Sequence, residues 1–266
     1  MFLLRRNTLE NATMVPENFI ITFFYLWDFD KKKYFSALKI KNMRCKVLPV
    51  LSFFLFLMNF TNLIAQETFE VEIEVRENSF VINNTAVDMI QKGQYASAAR
   101  ILEKVLDDDP SYHAAYLNFY RAGSNVEEKK EKVIQVLRKG LQIFKEDDEM
   151  AYYLGNLLQK QNRLKEAIEA YSDAINFSKI NGEDYPLVWA YYFNRGNCYL
   201  KSNQHSKAIP DYNYALQLSP GNPDILTNRG FCHYKTNNRS EACADWYMAK
   251  ELGSSSTARY IQSFCQ

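Results

Sequence analysis

Two stretches near the C-terminus repeat at a fixed offset, and no other feature narrows the fold as far. Residues 192–199 read Tyr-Phe-Asn-Arg-Gly-Asn-Cys-Tyr and residues 226–233 read Leu-Thr-Asn-Arg-Gly-Phe-Cys-His. Asn194, Arg195, Gly196 and Cys198 recur 34 residues later as Asn228, Arg229, Gly230 and Cys232. Ala208, Asp211, Tyr212 and Ala215 recur at the same offset as Ala242, Asp245, Trp246 and Ala249. A period of this length marks an array of small supersecondary units, each burying its apolar face only against its neighbours.

The same setting recurs upstream. Ala167 and Ala174 follow Leu154-Gly155, Ala98 follows Ala86 with Pro110 behind it, and Val133, Leu137 and Gly140 mark a more divergent unit. Each unit holds two apolar patterns at helical spacing. Leu226, Gly230 and His233 share one helix face, and Ala242, Trp246 and Ala249 share another. Small residues at close helix crossings, an aromatic beside them and a terminal Pro resemble the tetratricopeptide repeat (TPR) family; 95–110 and 207–220 are the closest matches. The resemblance implies an all-α, right-handed superhelical solenoid. Five units are expected at about 79–112, 113–147, 148–181, 189–222 and 223–252, with a capping helix over 253–266. Turns are expected at 93–94, 161–162 and 237–238, and a lengthened loop over 179–186. Pro210 is expected in the first turn of its helix, where the missing N–H costs little.

The N-terminal part is of another kind. Residues 47–58 form an uncharged apolar run behind Lys41, Arg44 and Lys46, with small Ala65 beyond it. That order reads as a secretory signal peptide over 43–65, with an uncleaved membrane anchor as the alternative. Residues 1–42 read as an upstream extension with a mis-set start, and 66–78 as an acidic leader or short strand. The first 65 residues hold nine of the 32 Lys and Arg and four of the 31 Asp and Glu, so residues 66–266 hold 23 basic and 27 acidic side chains, a net charge of −4. No electrostatic pull toward nucleic acid follows. The ending of the chain, 242–265, resembles that of exported bacterial proteins of the family. The expected location is therefore the periplasm or exterior of a Gram-negative bacterium, or the inner membrane if the anchor is kept.

Catalytic constellations are missing from the sequence. His113, His205 and His233 fall in different units, and no P-loop, Gly-x-Gly-x-x-Gly or Gly-x-Ser-x-Gly occurs. Zinc needs about four convergent ligands, so neither metal nor cofactor is expected. Cys243 and Cys265 can form a disulfide if the cap folds back, whereas Cys198 and Cys232 are repeat equivalents and read as small buried hydrophobes. Arg195 with Asp211 and Arg229 with Asp245 share a 16-residue spacing that reads as a structural ion pair within each unit.

In the resembled family the first helices of successive units line a concave groove that binds protein or peptide ligands. Projection onto those positions gives Tyr152, Tyr153, Asn156 and Lys160, then Phe193, Asn194, Asn197 and Lys201, then Thr227, Asn228, Phe231, Tyr234 and Lys235. Asn offers both donor and acceptor to an extended backbone, and the aromatics offer sequence-tolerant contact. Two roles are open to Asn194 and Asn228: holding a ligand, or fastening neighbouring helices. Asp224 and Asn228 stand where chaperone-binding members carry basic residues that clamp a terminal carboxylate, so that clamp is not expected. The resulting expectation is a non-catalytic scaffold binding a protein or peptide, with self-assembly or a membrane-anchored scaffold as alternatives. Contact with the membrane is expected only through the signal or anchor segment.

Overall fold

The computed structural model describes residues 71–183 and 185–265. The expected extension, signal peptide and first part of the acidic leader lie outside the described residues. Eleven α-helices are found among those described: α1 Ile73–Gln91, α2 Tyr95–Asp108, α3 His113–Gly123, α4 Lys130–Ile143, α5 Asp148–Lys160, α6 Leu164–Asn181, α7 Val188–Lys201, α8 His205–Leu218, α9 Pro223–Lys235, α10 Arg239–Glu251 and α11 Thr257–Phe264. They form five antiparallel pairs and a final short helix.

Four of the hairpin turns are closed in the same way. Gly93 (φ 73°), Asn162 (φ 59°), Asn203 (φ 57°) and Asn237 (φ 64°) adopt the left-handed conformation directly after the first helix of a pair. Asn162 N–H donates to Gln159 O (3.0 Å) and Arg163 N–H to Leu158 O (2.9 Å), which satisfies two carbonyls the helix end would otherwise leave open. Asn is the side chain that tolerates this conformation best after Gly. Helix starts are fixed by side chains at two pair boundaries. Asp147 accepts from Met150 N–H (2.8 Å), and Asn222 accepts from Asp224 N–H (3.0 Å) ahead of Pro223.

Within a pair, small residues let the helices approach and one large ring fills the space beside them. Ala167, Ala174, Ala208, Ala215, Ala242 and Ala249 are all fully buried, as are Tyr171, Tyr212 and Trp246. A Cβ on Gly155, Gly196 or Gly230 would stand 2.6, 2.8 or 2.7 Å from the ring of Tyr171, Tyr212 or Trp246 respectively. The first helices also touch one another in succession, α1 with α3, α3 with α5, α5 with α7 and α7 with α9, whereas no comparable contact joins the second helices. A row that is tighter on one side bends toward that side. The first helices are thus the inner layer and the second helices the outer one.

Three local expectations are corrected. Residues 73–78, read as leader or strand, open α1. The apolar alternation there is not used, since Ile73 points to solvent at 79% exposure. The segment is held by Arg76, whose Nε lies 2.6 Å from Asp109 Oδ2 and whose Nη2 donates to Ser111 Oγ (2.6 Å). The lengthened connection over 179–186 is partly helix, because α6 runs on to Asn181 before Gly182 (φ 92°) ends it. Asn181 Nδ2 is fixed by Glu146 O (2.9 Å) and Asp148 Oδ1 (3.0 Å). Beyond it, Glu183 accepts from the hydroxyls of Tyr192 (3.0 Å) and Tyr214 (2.5 Å). Pro210 is the sixth residue of α8, one turn deeper than expected. It is exposed there, so water can reach the carbonyl left without a helical donor.

Candidate functional site

The inner layer carries a row of carboxamides that runs from helix to helix. Asn194 on α7 donates to Asn156 on α5 (3.1 Å), and Asn228 on α9 donates to Asn197 on α7 (2.8 Å). A buried pair extends the row, since Asn118 on α3 donates to Asn83 on α1 (2.9 Å). Two of the outer rings reach the same row from behind. The Tyr171 hydroxyl lies 2.8 Å from Asn156 Oδ1 and the Tyr212 hydroxyl 2.9 Å from Asn197 Oδ1. Burial pushes both phenols above their ordinary range, so they stay protonated donors at any physiological pH.

These contacts bear on the two roles considered for Asn194 and Asn228. Both side chains fasten neighbouring repeats, while Asn156, Asn194, Asn197 and Asn228 all stay half-buried rather than sealed. Asn156 is tied into this network twice, since its Oδ1 accepts from both Asn194 and the Tyr171 hydroxyl.

Aromatic rings stand beside the row. Tyr153 stacks on Tyr120 with centroids 4.4 Å apart, and Tyr152 lies against Tyr191 at 4.8 Å. The Tyr153 hydroxyl donates to Glu149 (2.7 Å). Phe193 leans on Trp189 at 6.0 Å. Tyr152, Tyr153 and Phe193 remain half-buried, and Lys160 and Lys201 are exposed.

The unit-five positions differ from the expectation of an open groove. Thr227 is buried at 9% exposure, and its hydroxyl bonds back to Pro223 O (2.7 Å). Phe231 packs toward Tyr260 (6.2 Å) and Tyr234 toward Phe264 (4.3 Å), both on α11. The cap therefore takes up one side of these two rings, and Lys235 lies over both at 5.3 and 6.0 Å. Trp246 stacks on Tyr260 at 5.1 Å. Cys243 and Cys265 form a disulfide with Cα atoms 5.7 Å apart, which ties α11 to α10.

The remaining sequence candidates sit as follows. Arg195 grips Asp211 and Arg229 grips Asp245, each through two parallel hydrogen bonds between the helices of one pair. Cys198 and Cys232 are buried free thiols whose ionisation is pushed up to about 12 by burial, which removes them as nucleophiles. His113 bonds Asp147, and His205 lies near Cys232 Sγ (3.9 Å). Among the described residues, no group of three His, Cys, Asp or Glu is placed to hold a metal ion. A shallow cleft of about 180 Å³ lies between α2 and α4, away from the carboxamide row, and its lining is mostly charged.

Tyr120, Tyr191 and the Asn83–Asn118 pair were not among the sequence candidates. Carrying the carboxamide pairing two units upstream would have found the Asn pair. Tyr191 stands 34 residues before Ile225, a buried apolar position, and Tyr120 lies in the most divergent unit, so neither was read as a groove position.

Comparison with known proteins agrees with this geometry. The tetratricopeptide repeat family model matches residues 147–220. A TPR repeat-containing protein of Methanocaldococcus jannaschii is 28% identical over 138 residues, 51% of this chain and 24% of that protein. The chain thus spans about a quarter of the length of that curated relative. Among solved structures, MamA superposes with a TM-score of 0.58 at 23% identity, covering 66% of this chain and 92% of MamA. PilF of Pseudomonas aeruginosa gives 0.58 at 19%, with 71% and 86% covered. YrrB, described as a TPR protein with an unusual peptide-binding site, gives 0.56 at 20%, with 68% and 90% covered. By its repeats and by its fold, the chain is similar to the tetratricopeptide-repeat proteins, matching their family directly over 147–220 and sharing their all-helical solenoid.

Proposed function

We propose that the protein is a non-catalytic scaffold of the bacterial envelope that holds an extended polypeptide along the inner layer of its solenoid. The observation that carries this reading is the half-exposed carboxamide row flanked by Tyr152, Tyr153 and Phe193. Such a row gives hydrogen-bonding edges at a regular step, and the rings give apolar contact at low entropic cost. A folded enzyme site would instead bring titratable groups together in a pocket. The likeness to a peptide-binding solenoid such as YrrB supports the choice of ligand class. Export rests on the apolar run 47–58 and its basic flank. N-terminal sequencing of exported protein that begins at Gln66 supports a cleaved signal, and retention of 43–65 supports the anchor.

Site-specific photo-crosslinking tests the binding face. A crosslinker placed at Tyr153 or Phe193 on the inner layer should capture a polypeptide in cells, and one at Tyr247 or Met248 on the outer layer should not. Capture of a second copy through the outer positions alone would favour self-assembly and contradict the scaffold reading.

A further inference from the structure

The inner and outer helices end differently. Four consecutive inner helices carry a cation in their last turn: Arg121 on α3, Lys160 on α5, Lys201 on α7 and Lys235 on α9. The inner helix α1 carries none; of the five outer helices, α6 and α10 carry Lys179 and Lys250, and α2, α4 and α8 carry none. A helix dipole favours cations at every C-terminus alike, so it does not explain a row confined mainly to one layer.

The row has a fixed height. Lys160 follows Asn156 by four residues, Lys201 follows Asn197 by four and Lys235 follows Phe231 by four. Residues four apart on a helix stand one above the other. Arg121 stands lower, in the row itself: its Nη1 donates to Asn118 Oδ1 (3.3 Å), and its charge acts on the Tyr153 hydroxyl that Glu149 holds. The three lysines therefore form a rim one turn above the row. Among the described residues, none of the three lysines is ion-paired with a carboxylate; Lys235 rests on aromatic rings, and its field helps depress the ionisation of nearby His205 after burial has done so. At the other ends of these helices, Glu149 and Asp224 stand in the first turns of α5 and α9, and the first turns of α3 and α7 carry no acid.

Resting on the scaffold reading above, we infer that the inner face takes an extended acidic polypeptide whose carboxylates reach Lys160, Lys201 and Lys235. The spacing narrows the class further. Packed helices stand about 8–10 Å apart. A polyproline II strand returns to the same side every three residues, about 9 Å. Acidic side chains at every third position of such a strand meet the lysines helix by helix, and Glu149 and Asp224 at the other ends of α5 and α9 disfavour the reversed placement.

The test uses the full chain and four labelled twelve-residue peptides, followed by fluorescence anisotropy. They are (Glu-Pro-Pro)4, its Lys and Gln counterparts, and a peptide of the same composition with the four Glu adjacent. The regularly spaced Glu peptide should bind at least about tenfold more tightly than the Lys peptide, more tightly than the clustered one, and less tightly as salt rises. The triple variant Lys160→Gln, Lys201→Gln, Lys235→Gln should lose about tenfold or more. The outer-layer variant Lys179→Gln, Lys250→Gln should stay within about twofold. Equal binding of Glu and Lys peptides, or an unchanged triple variant, overturns the acidic preference. If the Gln peptide binds as well as the Glu peptide and both weaken with Tyr153→Ala, the scaffold reading stands and the acidic inference falls. If no peptide binds up to millimolar concentration, the inference falls, and the scaffold reading is then decided by the crosslinking.

Discussion

Arg195 on α7 holds Asp211 on α8 by two parallel bonds, Nε to Oδ2 at 2.9 Å and Nη2 to Oδ1 at 2.7 Å. Its third nitrogen group reaches Ser172 Oγ (3.0 Å) on α6, the outer helix of the preceding pair. Arg229 repeats the arrangement with Asp245 (2.9 and 2.6 Å) and reaches Asn213 (2.9 Å) on α8. One guanidinium therefore fastens a hairpin internally and fastens it to the hairpin before it. The carboxylates are nearly sealed, at 7% side-chain exposure, and the arginines keep about a fifth.

Removing one member of this pair should cost far more than removing both. Arg195→Ala leaves Asp211 buried without its counter-charge and should destabilise by about 3 kcal/mol. Replacing the two together, Arg195→Met with Asp211→Leu, should cost less than half of that, because the desolvation cost of both charges is removed with the attraction. Urea unfolding of the two single variants and the double variant measures the difference. Additive single costs would contradict it.

The carboxamide row should behave as a shared structural element. Asn197 accepts from both Tyr212 and Asn228, so Asn197→Ala breaks two bonds and should cost about 2 kcal/mol. Hydrogen exchange should rise in α7 and α9 together while α1 and α2 stay protected.

Gly155 should resist replacement even by alanine. A Cβ would meet Cδ1 and Cε1 of Tyr171 at 2.6 Å, and that ring is fully buried. Overpacking of about 1–3 kcal/mol outweighs the roughly 1 kcal/mol that alanine gains in helix propensity. Gly155→Ala should therefore lower the urea midpoint, and pairing it with Tyr171→Leu should restore part of the loss.

The disulfide should stabilise the end of the array and little else. It closes a separation of 22 residues, for which chain entropy suggests about 3 kcal/mol. An eight-residue helix is too short to persist alone. Reduction should speed amide exchange in α11 strongly and leave α7 and α8 unchanged. Uniform exchange before and after reduction would show that the ring contacts of Tyr260 and Phe264 suffice.

Glu166 supplies a pH signature. Hydrogen bonds from Arg163 first, then Arg138, hold its carboxyl down to about 2. A depressed folded value means stability that is present above the unfolded value, about 4.3, and lost as pH falls through about 2. The gap in urea stability between the wild type and Glu166→Gln should close over that window. It should also shrink in high salt, because the group is exposed.

Repeat number, helix pairing and the packing of Tyr212 and Trp246 against Gly196 and Gly230 were legible because a 34-residue offset compares each unit with a second copy of itself. The start of α1 was not. An alternating run such as Val71, Ile73 and Val75 fits a strand by pattern alone, yet 73–75 open a 19-residue helix that Arg76 tethers to Asp109 across the chain. The inner-helix positions could be named from the repeat register, but not their surroundings. Phe231 and Tyr234 lie on the first helix of the last pair, yet nothing in their local sequence showed that Tyr260 and Phe264 come back over them. Nor does sequence spacing tell whether a carboxamide faces solvent or a neighbouring repeat, since that depends on how closely α5, α7 and α9 approach.

The most direct test of the account follows the side-chain NH2 groups of Asn156, Asn194, Asn197 and Asn228 by nitrogen-edited NMR while the segment captured by the inner-layer crosslinker is titrated in. The account predicts that these resonances shift with saturation and that those of outer-layer Asn213 do not. Shifts confined to Asn213 and other outer-helix groups, with the four inner carboxamides unmoved, would contradict it.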